Sequence, residues 1–186
     1  MAINARGGPN NATVVLTQQV NASGILRVRG LEATWVQSLD FLLGDAGLDG
    51  FGFSVNGTYI DQDGSGAAPA IATGVARYAY NATFYYENHG IMARISTTWN
   101  EGSVSSGANQ NGIPAASLFA DDYDQWDFSS AFDLAELFDT PNLPTVTFDV
   151  VNIFESEQRS YFQFPNAAFT SYQPGRTVLI GVRGSF

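Results

Sequence analysis

Apolar and polar residues alternate with a period of two along most of this chain, and this alternation restricts the fold more than any other feature. In segment 51–59 (FGFSVNGTY), Phe51, Phe53, Val55 and Tyr59 occupy one set of alternate positions, and small or polar residues occupy most of the other. Successive side chains of a β-strand point to opposite faces. The pattern therefore predicts antiparallel β-structure with two chemically different faces.

The alternation recurs often enough to predict about eight strands, joined by connections that are alternately short and long. The predicted strands are segments 11–20, 25–43, 51–60, 76–87, 91–99, 126–134, 146–151 and 175–186. The short turns are 44–50, 88–90 and 137–143, and the long loops are 62–74, 100–122 and 155–171. Because consecutive antiparallel strands reverse direction, we expect the short turns at one end of the sheet and the long loops at the other.

This asymmetry is typical of bacterial outer-membrane barrels, which have short periplasmic turns and longer extracellular loops. A strand of about 9–11 residues can cross a bilayer. We therefore predict an all-β, antiparallel transmembrane β-barrel, closed within this chain or with further strands, because lipid does not tolerate open strand edges. A soluble β-sandwich or lipocalin-like barrel is the alternative, but it leaves the aromatic character of the apolar face unexplained.

The final segment, 175–186 (GRTVLIGVRGSF), shows the two faces clearly. Val178, Ile180, Val182 and Phe186 alternate with residues that include Thr, Ser and Arg. We interpret this segment as a strand with a lipid-facing side that ends at the membrane interface.

Composition excludes several classes of function. The net charge is −10, and all 8 basic residues are Arg, so we expect no nucleic-acid partner, which would require basic patches. The chain contains no Cys, so neither disulfides nor thiolate metal sites are available. No apolar run approaches the length of a membrane helix. The first residues do not resemble a signal peptide, so we expect any exporting segment to lie outside this chain.

The sequence gives only weak signals of a catalytic or metal-binding site. Asp61–Gly66 (DQDGSG) resembles the opening of a calcium-binding loop, but position twelve of that loop is Ala72 instead of Glu. His89 is the single His and lies in a short turn, away from the long loops, so no Ser–His–Asp set is predicted. We expect no enzyme, no metal site and no cofactor.

A cluster of carboxylates lies at the start of the sixth predicted strand and consists of Asp121, Asp122, Asp124 and Asp127. The cluster could bind a cation, or bridge lipopolysaccharide phosphates through one. We favour a solvated loop end, which is the commoner role of such a charge run.

Several segments resemble, in order along residues 24–186, motifs of TonB-dependent outer-membrane receptors. They are Arg29–Trp35 followed by Leu39–Gly44, Phe53–Asp61, Tyr80–Glu87 followed by Gly90–Ser96, Val151–Phe154, and Tyr172–Phe186. The resemblance implies a part of an active transporter that takes up a scarce nutrient, such as a siderophore, cobalamin or an oligosaccharide, with energy from TonB. Members of this family form a plugged barrel of about 22 strands.

The resemblance further implies that residues 1–186 are the C-terminal portion of such a barrel, without its plug domain. The expected location is the outer membrane, and the expected partners are its lipid and lipopolysaccharide, the barrel-assembly machinery, TonB through the missing plug region, and a small-molecule substrate. The implied assembly signal consists of Val178, Ile180, Val182 and Phe186.

A complete small barrel of about eight strands, with a structural or adhesive role, is the alternative within the membrane class. Arg29, Arg94 and Arg183 could fill its interior by pairing with carboxylates. The positions opposite the apolar face are mostly small, however, which suits the wall of a wider barrel. They are Ser54, Asn56, Thr58, Asn81, Thr83, Ser96, Thr98, Ser129, Ala131 and Thr147.

The last long loop is rich in aromatic residues, and aromatic faces can stack on sugar rings or planar chelates. We predict a ligand-binding surface at this loop, formed by Tyr161, Phe162, Phe164, Phe169 and Tyr172. Packing within the loop or an interfacial aromatic belt is the alternative role.

Overall fold

The computed structural model describes residues 3–4, 13–14, 24–44, 48–66, 71–107 and 116–184. The chain divides into two compact units, residues 1–27 with 63–71 and residues 28–62 with 72–186. In the first unit, β1 (Ile3–Asn4) pairs antiparallel with β2 (Thr13–Val14) in a sheet of their own. Most of the predicted strand 11–20 lies outside the described residues.

The remaining described strands form two sheets. In chain order they are β3 (Ile25–Ser38), β4 (Phe51–Ser65), β5 (Tyr78–Asn88), β6 (Ile91–Asn100), β7 (Ser103–Ser106), β8 (Leu118–Ala120), β9 (Tyr123–Asp133), β10 (Thr145–Val151), β11 (Gln158–Phe162), β12 (Ala168–Tyr172) and β13 (Thr177–Arg183). The large sheet has seven strands in the order β13-β10-β9-β6-β5-β4-β3. This is a meander, in which consecutive long strands are neighbours.

The large sheet confirms the prediction of an all-β antiparallel fold. It contains seven strands where about eight were predicted. Strands β3 and β13 form its two opposite edges, so the described part of the chain contains no closed barrel.

The second sheet corrects the prediction that 100–122 and 155–171 are loops. It has four strands in the order β12-β11-β8-β7, and these strands come from the two predicted loops. Tyr161 of β11 lies opposite Phe119 of β8, and Ser160 lies opposite Ala120. Each strand is only three to five residues long, and the pairing of β8 with β11, distant in sequence, joins the two halves of the sheet. Such strands have too little length for a recognisable period.

The β5–β6 turn has the geometry that its residues favour. His89 and Gly90 both have positive φ, +50° and +71°, between the paired residues Asn88 and Ile91. A two-residue loop of this kind is a type I′ turn, whose twist matches that of the flanking strands. The predicted hairpin at 88–90 is confirmed.

The other two short connections each contain one helical turn. After β3, α1 (Asp40–Leu43) is held because Asp40 accepts hydrogen bonds from the Gly50 amide and the Ser38 hydroxyl, each at 2.7 Å. After β9, α2 (Leu134–Leu137) begins at Asp133, whose carboxylate accepts from two backbone amides of the helix. Segment 40–43 was predicted as the end of a strand, but it is a helical turn that the hydrogen bond from the Gly50 amide to Asp40 closes just before β4. None of the described helices is long and apolar enough to cross a membrane.

Asn152 joins the two ends of the last long connection. Its side chain donates to the Gly175 carbonyl at 3.0 Å and accepts from the Ser156 amide at 2.8 Å, and its own amide donates to Asp127. Asn152 is buried and has a φ of +58°, a conformation that Asn tolerates better than most residues. These bonds fix the exit of β10 beside the entry of β13.

Candidate functional site

Backbone pairing aligns the apolar sides of the long strands into one continuous surface, which we call the apolar face. Its rings contact across strands: Trp35 meets Phe53 edge-on at 5.1 Å, and Phe51 lies 4.7 Å from Tyr86. In the large sheet, the register aligns one residue from each of six strands, β4, β5, β6, β9, β10 and β13, in a row of directly paired neighbours. This row is Phe53, Phe84, Ile95, Phe128, Val150 and Val178.

The apolar face is largely exposed. Leu31 and Trp35 are 70% and 62% accessible, and Ile180 and Val182 at the other edge are 75% and 70% accessible. Among the described apolar side chains only Ala116 is buried, so the described residues contain no packed core on this face. An apolar surface of this extent marks a contact with lipid or with another protein surface.

A serine on the apolar face leaves that surface apolar, because its hydroxyl is buried. Ser130 lies between Phe128 and Phe132 on β9, yet it is only 3% exposed. Its hydroxyl donates to the backbone carbonyl of Phe148 at 3.0 Å, so the polar atom is satisfied within the sheet.

Amphipathic aromatic residues gather at the long-connection end of the apolar face. Tyr59 contacts Tyr78 with ring centres 5.1 Å apart, and Tyr80 stacks on Trp99 at 5.4 Å. Trp126 lies beside these residues in the sheet and meets Phe154 edge-on. Tyr and Trp belts of this kind lie at membrane–water interfaces, where the ring is apolar and its polar atom reaches water.

The opposite side of the sheet, the polar face, contains the small residues that alternate with the apolar ones. Asn56 donates to Glu32 at 3.0 Å and to Thr34 at 2.8 Å, and Thr98 donates to Asn81 at 2.8 Å. The register places all of the predicted inward positions on this face. They are Ser54, Asn56, Thr58, Asn81, Thr83, Ser96, Thr98, Ser129, Ala131 and Thr147.

The arginines that could fill a small barrel do not form ion pairs with described carboxylates. The salt bridges between described side chains are Arg159–Asp121 and Arg176–Glu155, both in the long connections. Arg29, Arg94 and Arg183 have no described carboxylate within salt-bridge distance. By strand alternation Arg94 and Arg183 lie on the polar face among mostly small side chains, whereas Arg29 lies on the same side of β3 as Leu31 and Trp35.

The predicted ligand-binding residues lie on and beside the second sheet, and strand alternation divides them. Tyr161 and Phe162 are adjacent in β11 and point to opposite sides. Phe162 contacts Phe169 at 4.8 Å, where a register shift interrupts the β11–β12 pairing. Tyr172 lies at the far end of β12, opposite Gln158, and Phe164 lies in the turn between the strands and is exposed. The five residues therefore do not form one cluster.

Two residues beside Tyr161 were missing from the sequence prediction. Phe119 of β8 stacks on Tyr161 at 5.5 Å, nearly parallel, and the Arg159 guanidinium lies 5.7 Å from the centre of the Tyr161 ring. Phe119 belongs to a short apolar run, Leu118–Ala120, that was the only sequence signal of a strand inside the predicted loop. The two rings form an aromatic surface on the second sheet, beside the Arg159 guanidinium, whose charge is paired with Asp121.

Most polar groups in and beside the long connections form hydrogen bonds or ion pairs that stabilise the conformation of those connections. Asp121 pairs with Arg159 at 3.0 Å, and Asp122 accepts from the Gly102 amide at 2.7 Å. Asp127 accepts from Gln125 and from the Asn152 amide. No group of three or more metal-binding side chains is found among the described residues.

Hydrogen bonds lower the pKa of Glu157 beside the second sheet. The Ser171 hydroxyl donates to one carboxylate oxygen, and Gln173 donates to the other at 3.2 Å. Both bonds stabilise the ionised carboxylate, so the pKa of Glu157 lies below its usual value.

The remaining candidate residues lie in or beside the large sheet. His89 is exposed at the short-turn end. Asp61 and Asp63, the start of the calcium-like motif, lie within β4, which continues to Ser65 beyond the predicted strand. Of the predicted assembly signal, Val178, Ile180 and Val182 lie on the exposed apolar face of β13, and Phe186 lies outside the described residues.

No family model, curated protein or solved structure matches this chain. Its function must therefore be inferred from the two faces of the large sheet, the open edges of that sheet, and the aromatic surface on the second sheet.

Proposed function

We propose that this chain is the C-terminal barrel segment of a TonB-dependent outer-membrane receptor, which takes up a scarce nutrient through a barrel completed by further strands. In this proposal the apolar face contacts lipid and the polar face lines the lumen. The three short turns lie in the periplasm, and the long connections with the second sheet lie outside the cell.

The exposed apolar face is the observation that carries the proposal. Leu31 and Trp35 at one edge, and Ile180 and Val182 at the other, are all more than half exposed. In water, an aliphatic and aromatic surface spanning seven strands would be strongly unfavourable. In a bilayer the same surface is stabilised, and the Tyr and Trp side chains at its long-connection end suit the interface.

The two sheet edges support a larger barrel. Backbone amides and carbonyls along the outer edges of β3 and β13 need partners, because unpaired backbone groups in lipid cost several kcal/mol each. Further strands of the same barrel would supply these partners. The small residues of the polar face suit the wall of a wide lumen better than a packed interior.

Tryptophan fluorescence tests the membrane part of the proposal directly. The chain has 3 Trp residues, and Trp35, Trp99 and Trp126 all lie on the apolar face. The purified chain is refolded with phosphatidylcholine vesicles, and emission is recorded with lipids brominated along the acyl chain. We expect strong quenching by brominated lipid and weak quenching by aqueous acrylamide.

A soluble β-domain would give the reverse result. A chain that folds in plain buffer with a sharp unfolding transition, and whose Trp emission brominated lipid leaves unchanged, would exclude the outer-membrane location.

Cysteine cross-linking tests whether the barrel needs further strands. Because the chain has 0 Cys, Thr34→Cys on β3 can be combined in turn with Thr177→Cys, Leu179→Cys or Gly181→Cys on β13. All four positions lie on the polar face. The larger barrel predicts no intramolecular disulfide in any folded pair, whereas efficient cross-linking in one pair would favour the small closed barrel.

Transport is tested in the producing bacterium, where uptake of the limiting nutrient should require both this segment and TonB.

A further inference from the structure

The aromatic end of the apolar face contains a groove across β3 to β6. Its floor is Gly57, where the space that a side chain would occupy is empty. Tyr80 and Trp99 form one wall, Tyr59 and Tyr78 form another, and Leu31 lies on the β3 side. The groove has a volume of about 390 Å³, near the lower end of the roughly 300–1,000 Å³ range of small-molecule sites.

The backbone around this groove is already paired. Gly57 lies opposite Tyr80 and Tyr59 lies opposite Tyr78 in the β4–β5 ladder, and Tyr80 lies opposite Trp99 in the β5–β6 ladder. A peptide entering the groove would therefore find no free main-chain donors or acceptors at its floor. The groove suits a flexible apolar chain.

A positive charge lies beside the groove. The Arg77 guanidinium is 5.6 Å from the ring centres of both Tyr59 and Tyr78, and it donates to the Tyr59 hydroxyl at 3.3 Å. Asp61 is the acidic group on the same side of β4, and it lies beyond salt-bridge distance. Arg77 makes no salt bridge with any described carboxylate. It is exposed and can bind an anion without giving up an ion pair.

We propose that this groove binds one acyl chain of an anionic membrane lipid, with the lipid phosphate on Arg77; the inference rests on the proposed membrane location. The apolar floor and walls receive the tail, and the guanidinium is positioned at the level of the Tyr hydroxyls, where a headgroup phosphate lies. Guanidinium–phosphate hydrogen bonds are charge-assisted and geometrically specific.

A single-tryptophan protein tests this site. In the W35F/W126F background, Trp99 in the groove wall is the remaining fluorophore. The protein is refolded into phosphatidylcholine vesicles that contain increasing amounts of brominated phosphatidylglycerol or, separately, brominated phosphatidylcholine. We expect brominated phosphatidylglycerol to quench Trp99 at about fivefold lower mole fraction, the preference that one arginine gives for an anionic lipid.

Two variants test the two halves of the site. Arg77→Gln should abolish the preference for phosphatidylglycerol and leave quenching by phosphatidylcholine unchanged. Gly57→Val should fill the floor and reduce quenching by both lipids. Arg176→Gln is the matched control, because Arg176 lies at the same end of the sheet but contacts Glu155 and the Ile153 carbonyl; it should keep the preference. Migration of unheated samples in gels confirms that each variant folds.

The outcomes separate this site from the proposed function. Equal quenching by the two lipids, or a preference that survives Arg77→Gln, would overturn the site and leave the membrane location intact. Absence of quenching by either brominated lipid would overturn the membrane location and the site together.

Discussion

A charged residue placed on the apolar face of β13 should prevent stable insertion, and the same residue placed one position earlier should not. Ile180 is 75% exposed on the apolar face, opposite Phe148. Leu179 is 50% exposed on the polar face, opposite Asp149. The two side chains have similar size and lie in the same edge strand, so they form a matched pair.

The expected magnitudes differ widely. Arg on the lipid face of an outer-membrane barrel costs about 2–4 kcal/mol near the bilayer midplane. Ile180→Arg should therefore reduce the folding equilibrium constant by roughly thirtyfold to several hundredfold. Leu179→Arg should change the free energy of unfolding by less than about 0.5 kcal/mol, as surface substitutions usually do, because it faces the carboxylate of Asp149 across the strand pair. Ile180→Leu should be neutral.

The assay is urea-dependent folding into phosphatidylcholine vesicles, with the folded fraction measured from the migration of unheated samples in gels and from Trp emission. If Ile180→Arg folds as well as Leu179→Arg, the assignment of the apolar face to lipid is wrong, because Ile180 would then be an ordinary exposed side chain.

Three further predictions concern the connections. Asn152→Ala should destabilise the fold by about 1–3 kcal/mol in urea unfolding, since it leaves buried carbonyl and amide groups unpaired, and Asn152→Gly should share that loss despite tolerating positive φ. Gly90→Ala should destabilise the β5–β6 hairpin, because φ is +71° and a Cβ would lie 3.0 Å from the Asp133 carbonyl oxygen. His89→Asn should be neutral or stabilising, since Asn tolerates positive φ. Thermal unfolding compares the two variants. The backbone hydrogen bond from Gly50, followed by that from Ser38, lowers the pKa of Asp40. Its stabilising effect is therefore present above the usual carboxyl pKa of about 4 and is lost as the pH falls through the lowered pKa. The protection of the Gly50 amide against hydrogen exchange should fall only in that acid range, and protection that already falls at neutral pH would contradict this assignment.

Local sequence patterns predicted most of the large sheet. The alternation in segment 51–59 depends only on the direction of successive side chains along one strand, so it identifies both faces without knowledge of the neighbours. The His89-Gly90 turn is equally local, because two adjacent residues that tolerate positive φ are sufficient to define it. The helical turn at 40–43 was missed because it depends on a hydrogen bond from Gly50, ten residues away.

The candidate binding residues were harder to predict. Tyr161 and Phe162 were predicted to share one ligand-binding surface because they are adjacent in sequence, but adjacency in a strand places them on opposite sides. Phe119 stacks on Tyr161 across the β8–β11 pairing, which joins residues more than forty positions apart. Gly57 lies in the groove, and Arg77 lies beside it, only because β4 and β5 are paired.

The sequence by itself determined the two faces of each long strand, the position of the hairpin turn at His89-Gly90 and the acidic net charge, because these depend on residue type and on period-two geometry. Only the tertiary structure decided which strands are neighbours, that β3 and β13 are edges, and that two predicted loops pair into a second sheet. Backbone hydrogen bonds between strands are the same for any sequence, so the alternation in one strand cannot specify its partner. The partner is fixed by the cross-strand side-chain contacts that form when the whole sheet assembles.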